Sequence, residues 1–345
     1  MANPFWNPTQ RRVRALWRLL IQAGAFYLGT IAIGIAIGIG AAIILSLRAG
    51  GTPSDLGAAL SSLLAGSPLV QLLASLGSLA LMLLTVWLAG LLLDRRRFRD
   101  FGVHFSRAWR LDLGFGLALG ALLMALVFAV ELAAGWVAIT GTFASGPSGL
   151  PFLPGFVGAL VVFVSVGIYE ELWARGYQLR NMAEGLNLPL LGPRGALLAA
   201  WVLSSLVFGA LHAANPNATL TSTLLLVIAG LFLGLPFILT GELAISIGLH
   251  ITWNLFQGNI FGFPVSGTQA GATVIAVRQG GPALWTGGAF GPEAGLVGLG
   301  AMLIGSGLVW LWVRRRRGRA GLVTDLAVYR PPAPSSTPPR AQSEP

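Results

Sequence analysis

Eight stretches of this sequence stay apolar for about 20 residues or more, the length that carries an α-helix across the hydrocarbon core of a bilayer. They run at about 17–46, 67–93, 112–137, 156–182, 195–214, 219–240, 243–262 and 293–313. Inside a bilayer no water is available to the backbone amides, and a helix satisfies them within its own segment. The chain is therefore expected to be an all-α integral membrane protein, a bundle of about eight transmembrane helices. Composition agrees: 55% of the 345 residues are hydrophobic and 10% are charged, against about 25% charged in a soluble domain. The first apolar stretch is too long for the core of a signal peptide and lacks a small-residue cleavage site, so it reads as a retained span.

The net charge of +10 comes from arginine alone. Arg11, Arg12, Arg14 and Arg18 precede the first span, and Arg95, Arg96, Arg97, Arg99, Arg107 and Arg110 fill the second loop. Arg180 and Arg194 flank the loop after the fourth span, and Arg314 to Arg317 with Arg319 follow the last. The alternate loops hold only Arg48 and Arg278. Basic residues accumulate on the cytoplasmic side of a cell membrane, so both termini are expected there. Short basic runs beside spans suit anionic headgroups, and no nucleic-acid partner is expected. Cysteine is absent, which excludes disulfides, thiolate ligands and a cysteine nucleophile.

Organisation follows from the spans. Residues 1–150 carry three of them, 151–265 carry four, 266–328 hold a Gly/Pro-rich loop and the last span, and 329–345 are a Pro- and Ser-rich tail expected to be disordered. Glycines four apart at Gly34/Gly38, Gly116/Gly120 and Gly230/Gly234 read as close packing surfaces inside the bundle. Trp6 and Trp17 beside the N-terminal arginines suggest a surface anchor. Glu131 is expected at the interface near the outer end of the third span, and His104 is expected to be solvated.

Three polar constellations interrupt the apolar pattern within 151–265, and an ionisable group at bilayer depth is costly enough to suggest function. The first is Glu170-Glu171-Leu172-Trp173-Ala174-Arg175. Neighbouring helical side chains point about 100° apart, so the two carboxylates face different surroundings. Glu171 and Arg175 are four apart on one face in the favourable order and neutralise each other. Glu170 is left for other work, and a carboxylate withdrawn from water is a stronger base. The second is Phe208 and His212, again four apart, followed by the helix-ending Asn215-Pro216-Asn217. The third is His250 and Asn254, also on one face. Each has a plainer alternative: a solvated helix end, an interfacial cap or a helix-packing hydrogen bond. Helix rise places Glu170 and His212 each roughly 18 Å from their shared turn, and His250 about 12 Å from the next.

In order, on successive apolar helices, EExxxR, FxxxH and HxxxN resemble the CPBP intramembrane metalloproteases, a family that includes the type II CAAX prenyl endopeptidases and bacterial relatives linked to bacteriocin maturation or self-immunity. The resemblance covers about 155–262, making 151–265 a CPBP-like catalytic core. It implies an endopeptidase cutting a membrane-bound or lipid-modified protein near the cytoplasmic face. Glu170 would be the general base on a water oriented with His212, and His250 and Asn254 would stabilise the oxyanion. Glu171, Arg175 and Phe208 match remaining positions, with structural or orienting roles. The family name implies a metal, and Glu170, His212 and His250 offer a donor set for a divalent ion such as Zn2+. The same residues can hold water directly, and the sequence leaves both open. No HExxH occurs, and no membrane serine sits in a GxSxG elbow. Two other readings remain: a non-catalytic scaffold or immunity partner, and a proton-coupled transporter.

Overall fold

The computed structural model describes residues 3–49, 55–146, 149–269 and 271–331. Among them, seven helices are long and apolar enough to cross a membrane: Ala15–Ala49, Pro68–Asp94, Arg107–Ala133, Phe152–Leu186, Gly192–Ala214, Leu220–Thr240 and Leu296–Arg317. Their cores are α1 (Ala15–Ala49), α3 (Pro68–Ala89), α4 (Arg107–Ala133), α5 (Phe152–Glu171), α7 (Gly192–Leu211), α8 (Leu220–Thr240) and α11 (Leu296–Arg317), with the shorter α2 (Leu56–Gly66), α6 (Arg180–Leu186), α9 (Ala244–Leu255) and α10 (Ala283–Thr286) between them. Local signals set several ends. Ser67 accepts from the Val70 amide ahead of Pro68, Ser106 caps α4 at Trp109, and Thr219 and Ser222 form a reciprocal cap on α8. Gly241 closes α8 with φ +74°, a conformation glycine adopts without strain.

The seventh apolar stretch, 243–262, is a different kind of element. With a π-helical extension over Phe256–Ile260, α9 is about 25 Å long at 1.5 Å per residue, short of a full span. Its side chains are almost all buried, among α4, α5 and α8. The bundle is wrapped around it. Its start is tied to the arginine-bearing end, where the Leu243 amide donates to the Gly102 carbonyl at 3.0 Å. Beyond its far end the chain forms β4 (Thr273–Gln279), which pairs antiparallel with β3 (Val137–Ala144). The third span accordingly stops at Ala133, four residues before the expected end, and the supposed last turn is the start of a strand. This ribbon and the small β1 (Trp6–Asn7) and β2 (Arg12–Val13) pair are additions to an otherwise helical fold.

Two of the three glycine pairs lie at helix contacts. A β-carbon on Gly116 would strike the Ile245 backbone, and one on Gly120 would strike the Leu249 carbonyl and the Thr252 hydroxyl. Gly230 and Gly234 likewise admit Ser205 and Trp201 of α7. Gly34 and Gly38 meet nothing within 4 Å, so that pair is not an internal packing surface. Gly120→Val is expected to destabilise the bundle by about 1–3 kcal/mol or more, because α4 and α9 must separate. Thermal unfolding in detergent checks this, with Gly38→Val as the comparison that leaves the midpoint unchanged.

At the arginine-bearing end, Glu184 gathers Arg12 at 2.7 Å, Arg18 at 3.3 Å and Arg96, while Arg18 also pairs with Asp94 at 2.5 Å. All five are buried, and the Tyr177 hydroxyl donates to Asp94 at 2.9 Å. Tyr329 packs its ring over the Arg12 guanidinium, 3.5 Å from its centroid. The N-terminal hairpin, the α3–α4 loop, α6 and the chain around 320–331 thus share one end of the bundle. Tyr329 itself is held there; the rest of the expected tail, from 332, lies outside the described residues. His104 is 3.4 Å from Glu242 rather than merely solvated, and Glu131 is fully buried, accepting from the Gln279 amide at 2.7 Å beneath the ribbon.

Candidate active site

Helix α5 delivers Glu170 and Glu171 at its last turn, and the chain passes at once into a π-helix over Leu172–Leu179 that is buried throughout. Such segments in α-helices are frequent at functional sites, since they reset which side chains face inward. Glu171 is 0% exposed and Arg175 1%. Arg175 Nη1 donates to Glu171 Oε1 at 2.8 Å, Nη2 donates to the Gly230 carbonyl at 2.9 Å, and the guanidinium lies over the Phe208 ring at 4.6 Å. The pair welds α5, α7 and α8 together below the site.

Glu171 Oε1 has a second partner: His250 Nδ1, at 2.8 Å. A carboxylate only accepts, so Nδ1 carries a hydrogen and the ring is oriented by the carboxylate behind it. That points His250 Nε2 the other way, 4.0 Å from Glu170 Oε2. His212 is set by the same logic. Its Nδ1 lies 2.7 Å from the Phe208 carbonyl, a pure acceptor, so Nδ1–H donates and Nε2 is the ring nitrogen left for other partners. Phe208 packs against both rings, with centroids 4.6 Å from His212 and 6.4 Å from His250.

Glu170, Phe208, His212, His250 and Asn254 all line one cavity of about 540 Å³. Glu171 and Arg175 do not; they sit behind it. Asn254 has no hydrogen-bond partner among the described residues, which leaves its amide free to donate into the cavity. The structure therefore gathers residues from three helices into one wall. It adds groups that no motif reveals: Tyr27 of α1, Tyr169 and Trp173 of the α5 segment, and Ser266 of the loop after α9. No spacing rule signals Tyr27 or Ser266, which come from distant parts of the chain, while Tyr169 and Trp173 lie beside Glu170 in its own segment.

A second, small cavity of about 40 Å³ connects His212, His250 and Asn254 to Ser266 and Glu293. Glu293 stands ahead of α11, outside the spans, and accepts from the Ser266 amide at 2.6 Å and from the Gln257 side chain. The loop it holds is also tied to α7, since Asn215 donates to the Ser266 carbonyl at 3.1 Å. Burial pushes the Glu293 pKa up to about 7 from 4.5, the hydrogen bonds only partly opposing it. The folded state thus binds this proton more tightly than the unfolded chain, and the stability it confers is full below about pH 4.5 and lost as pH rises through about 7. The loss is a few kcal/mol at most, since one tenfold step is worth about 1.4 kcal/mol. A melting midpoint that falls over this range in wild type and stays flat in Glu293→Gln is the expected result.

For a divalent ion the donor chemistry is suitable, two imidazoles and a carboxylate. Among the described residues no three His, Asp or Glu side chains gather closely enough to hold an ion. Nδ1 of His212 and of His250 is engaged, so Nε2 is the nitrogen each would offer to one.

A second hollow lies beside the cavity on the same flank of the bundle. Helix α1 packs on α3 and α6, and α7 on α6 and α8, leaving a cleft between α1 and α7. Its lower part is a hollow of about 650 Å³ walled by Leu16, Leu19, Leu203, Leu206 and Val207. Above it, Phe26, Tyr27, Phe208 and Leu211 line the cavity that holds Glu170 and His212. The far rim is formed by Pro216, Ser266 and Thr268, from loops at the end opposite the arginine cluster.

Comparison with known proteins returns no match among curated proteins and none among solved structures. The helices that build the wall are another matter. Residues 152–256, from the start of α5 to the end of α9, match the family described as type II CAAX prenyl endopeptidase Rce1-like. Residues 152–256 thus form a domain similar to the type II CAAX prenyl endopeptidases, set among seven helices whose length and apolarity mark a multi-pass membrane protein.

Proposed function

We propose that this chain hydrolyses a peptide bond of a membrane-bound or lipid-modified protein inside the bilayer. The observation that carries the reading is the shared wall of Glu170, His212, His250 and Asn254 beside a lateral cleft. Glu170 takes a proton from a water held against it and the Nε2 lone pair of His212, and the hydroxide attacks the scissile carbonyl. The unpartnered amide of Asn254 donates to the developing oxyanion, and His250, oriented by Glu171, joins it through Nε2 when that nitrogen also carries a proton. The proton held by Glu170 then passes to the leaving amine. No covalent intermediate is required.

A membrane-anchored substrate enters between α1 and α7 without leaving the lipid, past the apolar side chains of Leu203, Leu206, Val207 and Leu211. The resemblance implies a cut near the cytoplasmic face, while a cavity whose rim includes Pro216 and Thr268 supports one deeper in the bilayer. We therefore place the cut at mid-depth. Both termini and the arginine-rich end lie in the cytoplasm in this proposal, on the charge asymmetry alone.

The test compares membrane-protein fragments in cells expressing wild type or Glu170→Gln at matched levels. Fragments present only with wild type establish proteolysis, and their new termini report the depth of the cut. Identical fragment sets, with the wild-type phenotype retained by the variant, would leave a scaffold role instead. Asn254→Ala is expected to lower kcat about 10²-fold or more with KM little changed, as loss of an oxyanion donor does.

A further inference from the structure

Beside the N-terminal hairpin lies a hollow of about 740 Å³ that the catalytic reading does not use. Arg11, Arg95, Arg96 and Arg97 line it, together with Tyr329 and Leu91. No carboxylate contributes to this wall. Arg11, Arg95 and Arg97 are exposed and form no ion pair among the described residues. Arg96 spends Nη2 on Glu184, yet its Nε is buried without a partner. Two of these arginines also hold the left-handed backbone conformation, Arg11 at φ 50° and Arg95 at φ 55°. A side chain of their kind adopts it at a cost, which is sustained where the surroundings require it.

Position in the fold selects the ligand. Arg95 follows directly on the π-helical end of the second span, Gly90–Asp94, so the hollow sits at headgroup depth. Just inside it, Leu91 and Leu92 are 47% and 72% exposed on the outer surface of the bundle. A ligand that fits both features has an anionic phosphate and apolar chains. We propose that this hollow binds an anionic phospholipid, its phosphate held by Arg11, Arg95, Arg96 and Arg97 and its acyl chains lying along Leu91 and Leu92. Guanidinium groups match phosphate oxygens in fork geometry, which makes arginine the suitable residue here. The lipid completes the contact between the N-terminal hairpin and the α3–α4 loop, at the foot of the α1 side of the access cleft.

The experiment titrates the full chain in detergent with phosphatidylglycerol or phosphatidylcholine and counts bound lipid by native mass spectrometry. Saturable binding of phosphatidylglycerol over phosphatidylcholine is expected. Replacing Arg11, Arg95 and Arg97 by glutamine weakens it about a hundredfold, at about fivefold for each arginine near an anionic headgroup. The matched control replaces Arg314, Arg315 and Arg319, which changes net charge equally at the same end and leaves binding intact. Equal losses in both triple variants would reduce the effect to general charge and overturn the site. So would equal binding of phosphatidylcholine. Displacement of the lipid by millimolar inorganic phosphate would show a free-phosphate site and overturn the lipid assignment. If the triple variant unfolds, Arg97→Gln alone, with an unchanged melting midpoint, must still show its fivefold loss for the proposal to stand.

Discussion

A Glu170→Gln chain purifies at wild-type yield, melts at the wild-type midpoint and cleaves roughly 10³-fold more slowly, or not measurably. General-base catalysis alone is worth about 10²–10⁴, and glutamine keeps the shape of the side chain while removing the lone-pair basicity the water needs. Folding is spared because Glu170 has no ion pair closer than His250 Nε2 at 4.0 Å, and glutamine can still accept from the Tyr169 hydroxyl. His212→Ala is expected to lose activity to a similar extent, since its Nε2 is the second group on the water. Such catalytic effects are not additive, so the double variant loses little more than either single one. Unimpaired cleavage by Glu170→Gln would remove the mechanism proposed here whatever the fate of the other residues.

Arg175→Ala produces the largest loss of stability of any single change in the site region, about 3–5 kcal/mol, and with it most of the folded protein. It strands the Glu171 carboxylate in the bundle core, and a buried charge deprived of its partner is among the most destabilising lesions known. Arg175→Lys is intermediate. A lysine can meet Glu171 but cannot also donate to the Gly230 carbonyl and lie flat on Phe208, three contacts that the planar guanidinium makes at once. Its activity per folded molecule should stay within a few-fold of wild type, while the melting midpoint drops. Retained stability with lost cleavage would contradict a structural role for Arg175. Glu171→Gln separates the two functions of that carboxylate. It weakens the hold on Arg175, and it also removes the charge that orients His250, so both the midpoint and kcat fall.

The sequence by itself determined most of the helical frame and the internal geometry of each motif, because both are local. Hydrophobic length marked the spans with end errors of a few residues, and a four-residue spacing brought Arg175 onto Glu171 with no tertiary information. What only the tertiary structure decided is non-local. The partnership of His250 with Glu171 joins residues 79 apart in sequence. The β3–β4 ribbon pairs Val137 with Gln279 and Ala144 with Thr273, segments far apart in the chain, so its strands read as helix end and loop. α9 looked like an eighth span because apolarity does not distinguish lipid from protein as a surrounding. Packing did, through Gly116 and Gly120, while the identical spacing at Gly34 and Gly38 meets nothing. Tyr27, Ser266 and Glu293 reached the site for the same reason. A cavity wall is a property of which helices lie side by side, and burial of α9 at the centre of the bundle set that arrangement.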